Sequence, residues 1–454
     1  MPMKKEHFLN QFAKQALDER ISLFLGAGGS CDAGYPTWSN LFEPLAKELK
    51  TTIDESTDFY QLAQYYANTF GKTELRKKIN NYINRNKFES PLLDELMDVG
   101  FTSIWTTNFD NTIELNYQKR NILTNKVFQD ADLSNVELNK RVNIFKLNGD
   151  ITNLEGIIAT QSDYEKYTDT HHLMSMFFKR ELISSTFLFI GYSFTDHLVL
   201  DCLSELARYL GESTNCHYTI IKREPQNQYF DYFIDDLEKR YNLRILLVDR
   251  YEEVPLILAE LNRKIRNQRV FISGAFGSYE ADIEQYSHNL SRELAFSLLG
   301  NNYRIVNGIG RRFGTHLIGY ANEYLAKEGV KDIEKYLIVR PFVGKGEQAP
   351  TEKRYLREEV IGKCGSAIFV FGDIIQNTKS GMLEEFEIAC KQHKTIIPIS
   401  YPDMISHDLW SKVNENITAY PYLEGFLSRL SSTESIESLS KSIIHILDSV
   451  QDDK

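Results

Sequence analysis

Four short segments in the first 200 residues carry side chains that could hold a sugar or move a proton: 25-LGAGGSCDAGYPTW-38, 106-TTNFD-110, 145-FKLNGD-150 and 190-IGYSFTD-196. In the first, Gly26, Ala27, Gly28, Gly29 and Ser30 follow an apolar run ending at Leu25. Such a turn lets backbone N–H groups approach a pyrophosphate, and the helix after it adds its positive end. Glycines there also serve tight packing. In the second segment, the Asn108 amide can hold a ribose or a water, with Asp110 beside it. Capping of the helix that begins in 111-NTIELNY-117 is the alternative reading of both residues. In 143-NIFKLNGDI-151 the polar residue at the glycine turn is Asn148. Its amide reaches about as far as an imidazole but is no base at neutral pH; it could also simply cap the turn.

These segments need a scaffold that brings them together. Apolar, β-rich runs at 21-ISLFLGAG-28, 103-SIWTTN-108, 142-VNIFKL-147, 186-TFLFIG-191, 217-HYTIIK-222 and 243-LRILLV-248 alternate with helical stretches such as 110–118 and 197–210. Strands buried on both faces and separated by helices predict a parallel, doubly wound sheet, which presents ligands at the carboxyl ends of its strands. All four segments lie at such ends. The pattern restarts at 269-RVFISG-274 and continues through 303-YRIVNG-308, 336-YLIVRPF-342, 366-SAIFVFG-372 and 395-TIIPIS-400, with helices near 281–299, 313–328 and 384–392 and a closing helix at 433–450. The expected fold is therefore α/β, with two Rossmann-like parallel-sheet domains at residues 1–266 and 267–454. No repeat or low-complexity tract interrupts it.

Composition narrows the function. The chain has 454 residues, 42 % hydrophobic and 25 % charged, and a net charge of -11. That balance argues against a broad nucleic-acid face, which needs concentrated cations. No apolar run approaches the ~18 residues of a membrane span, and the N-terminus lacks the pattern of a signal peptide. Cys31, Cys202, Cys216, Cys364 and Cys390 are scattered without a CxxC, which fits a reducing cytoplasm and offers no zinc site. The carboxylates show no metal-ligand spacing, and the adjacent His171 and His172 read as solvated surface; no metal is assigned.

The second half concentrates cations near strand ends: Arg311, Arg312, Arg340, Lys345, Lys353, Arg354 and Arg357. In an acidic chain such clustering suggests an anionic small ligand, although solvated helix faces would look the same.

As an ordered set, the four segments resemble the sirtuin family of NAD-consuming enzymes, closest to its bacterial antiphage branch, over about residues 1–260. The resemblance implies that Ala27, Gly28 and Ser30 line the diphosphate, with Asp32 and Thr107 also at the dinucleotide. It implies that Asn108 holds the nicotinamide ribose and the reacting water, that Asp110 orients Asn108 or the nicotinamide end, and that Gly191, Ser193 and Phe194 hold the adenosine half. Asp196 reads instead as a helix N-cap. The chain lacks the four-cysteine zinc module of protein-deacylating sirtuins and has 36-PTWS-39 where they carry Pro-Asp-Phe-Arg. Both departures favour simple cleavage of the N-glycosidic bond of NAD, the substrate. The family places a histidine where Asn148 stands, which implies a chain disabled at that one position. Because Asn108 and Asp110 remain, a deliberate exchange is favoured over gradual drift.

In the second half, 271-FISGAFGS-278, 305-IVNGIGRRFG-314, 340-RPFVGKGE-347 and 382-MLEEFEIA-389 resemble the SLOG superfamily of nucleotide-binding domains over about residues 268–400. Lacking the Pro-Gly-Gly motif and nearby glutamate of its enzymatic members, this half reads as a binding domain. The resemblance implies Ser273 and Gly274 in a phosphate turn, Gly308 and Arg340 at the ligand, Arg357 on phosphate and Glu385 on a ribose hydroxyl. The order sirtuin-like then SLOG resembles the NAD-cleaving effectors of the Thoeris antiphage system. That implies activation by a cyclic ADP-ribose isomer made by a TIR-domain partner protein, a cytoplasmic location, and a homo-oligomer, tetramer or filament.

Overall fold

The computed structural model describes residues 2–54, 57–83, 89–137, 141–277, 280–342, 349–374 and 380–452. The chain forms two units, Met1–Asn262 and Arg263–Lys454. The boundary expected after residue 266 falls inside the helix Glu253–Asn267, which continues across the division.

The first unit is built on a seven-stranded sheet: β1 (Ile21–Leu25), β2 (Ser103–Thr106), β3 (Thr124–Val127), β4 (Val142–Lys146), β5 (Thr186–Ile190), β6 (His217–Lys222) and β7 (Leu243–Val248). Their order is β3-β4-β2-β1-β5-β6-β7, and every pairing is parallel. β1 and β5 are buried at every residue, because ISLFL and TFLFI offer apolar surface to both faces. Only β3 was absent from the sequence reading. It is an edge strand, TNKV, with a single buried residue, so it carries no apolar run to detect. The chain leaves β1 toward β2 on one side and returns to β5 on the other. That reversal opens a crevice at their carboxyl ends.

The second unit has five parallel strands, β8 (Arg269–Ala275), β9 (Arg304–Asn307), β10 (Leu337–Val339), β11 (Ser366–Phe371) and β12 (Thr395–Ile399), in the order β10-β9-β8-β11-β12. The helices Ala281–Gly300, Phe313–Lys327, Gly381–Lys391 and Ile436–Asp452 cover it, close to the expected spans.

Candidate functional site

At the end of β1 the glycine turn coils into a short 3-10 segment, Ala27–Ser30. It meets the end of β5 backbone to backbone. Gly26 donates to the carbonyl of Ile190 and Gly28 to that of Gly191, both at 2.9 Å. A Cβ on Gly191 would lie 2.1 Å from the Gly29 nitrogen, and Gly191 also has a φ of +64°. These glycines are thus required by the close approach of the two loops. The Gly28 amide is spent on Gly191, so Gly28 can line a diphosphate but its N–H is not available to it.

Asn108 and Asn148 stand level with each other. β2 and β4 pair with Thr106 opposite Lys146, and each asparagine lies two residues beyond that pair. The Thr106 hydroxyl donates to the Leu25 carbonyl (2.7 Å) and accepts from the Asn108 amide (2.9 Å), which pins Asn108 against the β1 turn. The Asn108 Nδ2 donates to the Gly26 carbonyl and the Ser30 hydroxyl, each at 3.2 Å. Asn148 is 0 % exposed and its Nδ2 donates to the Tyr60 hydroxyl at 3.1 Å. The side-chain oxygens of both residues, Asn108 Oδ1 and Asn148 Oδ1, are buried without a hydrogen-bond partner. A buried acceptor left without a partner costs about 1–3 kcal/mol, which a donor from a bound ligand would recover.

A buried ion cluster holds the two loops. The Lys146 ammonium meets Asp150 Oδ2 at 2.6 Å and Glu114 Oε1 at 2.8 Å, and donates to the Asp110 carbonyl. Burial alone would raise the Asp150 carboxyl, but Lys146 and Lys126 bring it down to about 2. At Glu114 burial wins over the same ammonium and the carboxyl is raised.

Other expected residues take different places. The Asp110 carboxylate accepts through Oδ1 from the Thr112 amide (2.8 Å) and hydroxyl, at the turn into the helix Thr112–Lys119. Asp32 is exposed and accepts from Ser90 at 2.7 Å. Thr107 is buried beside Asn108. Ser193 is exposed, its hydroxyl on Thr195 at 2.7 Å. Phe194, with a φ of +55°, has a buried ring. It turns into the core against Phe189 and Tyr192, because burying its ring outweighs the strained backbone. His171 is likewise no surface residue: it is buried, stacked on Tyr167 at 4.8 Å, with Nδ1 on the Thr170 hydroxyl. His172 is exposed as expected.

Two residues that the sequence reading did not place in the site complete it. Tyr60, on the helix Phe59–Phe70, donates to Asp196 Oδ2 at 2.9 Å. Asp196 does cap the helix His197–Leu210, its Oδ1 accepting from Leu198 at 2.9 Å, but its second oxygen faces Tyr60. Burial pushes both the Tyr60 phenol and the Asp196 carboxyl above their ordinary ranges. Nothing in the spacing of Tyr60 could have marked it, since the helix that carries it lies far from the motifs in sequence.

In the second unit Arg357, on the helix Ala349–Gly362, is held by two carboxylates: its Nη1 reaches Glu384 at 2.6 Å and its Nε reaches Glu385 at 3.0 Å. Its guanidinium lies over the Phe342 ring, which also closes against Gly308. Ser273 and Gly274 do not form a turn. β8 runs on to Ala275, so the Ser273 hydroxyl points sideways to Glu385 (2.6 Å) and Gly274 packs on Phe313. Burial raises the Glu385 carboxyl against the pull of Ser273 and Arg357. Arg340 follows β10 with an exposed side chain, Arg354 pairs with Glu358 and Arg312 with Glu284, and Lys345 lies outside the described residues. One metal-compatible group does form among the described residues. Glu284 Oε1 lies 3.3 Å from His316 Nε2 and 3.9 Å from His288 Nε2, across two helices that the sequence reading had not paired.

Residues 102–246 match the SIR2-like domain family, and residues 253–450 match the Sir2- and TIR-associating SLOG family. Among curated proteins, the NAD(+) hydrolase ThsA of Bacillus cereus (strain MSX-D12) is 29 % identical over 98 % of this chain and 98 % of its own. The ThsA of Enterococcus faecium is 28 % identical over 99 % and 100 %. That of Acinetobacter baumannii (strain 532279) is 26 % identical over 91 % of each. With a SIR2-like domain ahead of a SLOG domain and end-to-end similarity to these proteins, the chain is ThsA-like.

Proposed function

We propose that the first unit binds NAD at the crevice between β1 and β5 and is built to hydrolyse it to nicotinamide and ADP-ribose. The observation that carries this reading is the level pair Asn108 and Asn148, each presenting a buried, unpartnered carbonyl oxygen. In the reaction the ribose C1′–N bond breaks and its electron pair goes to the nicotinamide ring, which leaves neutral. Water adds to the oxocarbenium-like carbon and gives up a proton. Asn108 Oδ1 can accept from that water or from a ribose hydroxyl, and a base at residue 148 can take the proton. An amide cannot, so this chain is read as disabled at Asn148 while still able to hold NAD. The names of its relatives, NAD(+) hydrolases, support the activity.

The second unit is read as the switch, a receptor for a cyclic ADP-ribose isomer made by a TIR-domain partner protein. Arg357 and Glu385 would be its phosphate and ribose contacts. Depleting NAD in the cytoplasm would make the protein an antiphage effector of the Thoeris type, acting as a tetramer or filament. A second reading, a sensor that binds NAD without cleaving it, is favoured by Asn148 itself.

Nicotinamide release, measured by liquid chromatography with and without a cyclic ADP-ribose isomer, separates the two. Asn148→His should raise cleavage by roughly 10²–10⁴-fold, the usual contribution of a placed general base. Adding Asn108→Ala should remove that gain. If the chain and its Asn148→His variant cleave alike under saturating activator, no base acts at this position.

A further inference from the structure

We propose that Tyr60 and Asp196 are positioning residues that dictate which atom of the side chain at 148 donates a hydrogen bond and which is left as the acceptor. The inference deepens the NAD-cleaving reading of the same site, yet its spectroscopic test does not depend on cleavage.

The argument is a count of hydrogens. Tyr60 is 7 % exposed, its ring set between Trp38 and Tyr164. Its phenol has one hydrogen and two neighbours, Asp196 Oδ2 at 2.9 Å and Asn148 Nδ2 at 3.1 Å. Both Asp196 oxygens lie against donors, Oδ1 against the Leu198 N–H and Oδ2 against the phenol, so the phenol hydrogen goes to Asp196. Its oxygen can then only accept, and residue 148 must direct a donor at Tyr60. The other polar atom of residue 148 is left as an acceptor with no protein partner among the described residues. In this chain that atom is Asn148 Oδ1, buried and unpartnered. An imidazole at the same position would place its N–H on Tyr60 and turn the lone pair of its second nitrogen to the crevice. That is the tautomer a general base needs, fixed from behind by Asp196, chiefly through the Tyr60 phenol and also through the carboxylate's own interaction with the side chain at 148. The Asp196 cap of Leu198 at 2.9 Å holds the carboxylate in place, so one side chain serves both the helix and the site.

A purely structural role would be satisfied by any group of the same shape. Asp196→Asn tells the two apart. Its single amide oxygen goes to the Leu198 N–H, its NH₂ then faces Tyr60, and the phenol must donate toward residue 148. The imidazole would flip to the wrong tautomer. The test uses the full chain carrying Asn148→His, with nitrogen-15 histidine, and follows the resonance absent from the parent. The expected result is one tautomer, the opposite tautomer when Asp196→Asn is added, and a mixture when Tyr60→Phe is added instead. With activator, Asp196→Asn should lower kcat by roughly 10²–10⁴-fold while KM changes little. The same tautomer in all three proteins overturns the proposal, and Tyr60→Phe alone decides it if Asp196→Asn does not fold. If the tautomers move as stated but Asn148→His never cleaves NAD, the positioning role stands and the hydrolase reading falls.

Discussion

Replacing Lys146 with methionine should loosen both loops that carry the candidate site. The ammonium is 0 % exposed and is shared by Asp150 at 2.6 Å, Glu114 at 2.8 Å and the Asp110 carbonyl. Removing one member of a buried pair costs about 3–5 kcal/mol, because the partner charge stays behind. Two features lower that figure here. Asp150 keeps Lys126 at 2.7 Å, and Glu114, already raised by burial, can take up a proton. The lower end, about 3 kcal/mol, is therefore expected at pH 7. Hydrogen exchange of the β2 and β4 amides should then quicken by about 100-fold, since 1.4 kcal/mol is a factor of ten. The pH dependence follows from Asp150. Its carboxyl sits at about 2 in the fold, below the ordinary 3.8. Its contribution is present above about pH 4 and is lost as pH falls toward 2. The gap between parent and Lys146→Met should thus be widest at neutral pH and narrow on acidification. A gap under about 1 kcal/mol at pH 7, or one indifferent to pH, would refute the reasoning.

Gly191→Ala should abolish NAD binding by calorimetry. The new Cβ would strike the Gly29 nitrogen at 2.1 Å, and the φ of +64° adds about 1–2 kcal/mol of strain. Arg357→Ala should weaken binding of a cyclic ADP-ribose isomer by roughly 10- to 150-fold, leaving NAD binding intact, as one charge-assisted contact is worth ~1.5–3 kcal/mol; unchanged calorimetry would remove Arg357 from the site. His217, wholly buried, has its imidazole pushed down to about 3 from 6.5 by burial. Because that value is lowered, its contribution is full above about pH 6.5 and shrinks below it, costing about 2 kcal/mol by pH 5. Acid unfolding of the first unit, followed by hydrogen exchange, should become less steep in His217→Gln.

Much of this was legible in the chain. Continuous apolar runs such as 21-ISLFL-25 and 366-SAIFVF-371, short and rich in β-branched and aromatic residues, read as strands buried on both faces, and helices between them favour parallel pairing. β3 escaped because an edge strand need not be apolar. Asn108 and Asn148 were found because motifs at strand ends are local in sequence. Ser273 lies inside β8 rather than in a turn, and the Phe194 ring turns into the core, because a side chain near the end of a strand can point to the core or along the sheet and only the end of the strand decides.

The order of residues along the chain sets the alternation of elements, the two-domain order and the side chains available at the carboxyl ends of the strands. All of these follow from periodicity and from turn chemistry read over a few residues. Which of those residues have unmet hydrogen bonds, and what stands behind them, follows from packing in three dimensions. Tyr60 reaches Asn148 across 88 residues of chain, and Asp196 lies a further 48 beyond Asn148. Donor and acceptor roles are settled by counting hydrogens among neighbours in space, and the fold alone makes those residues neighbours.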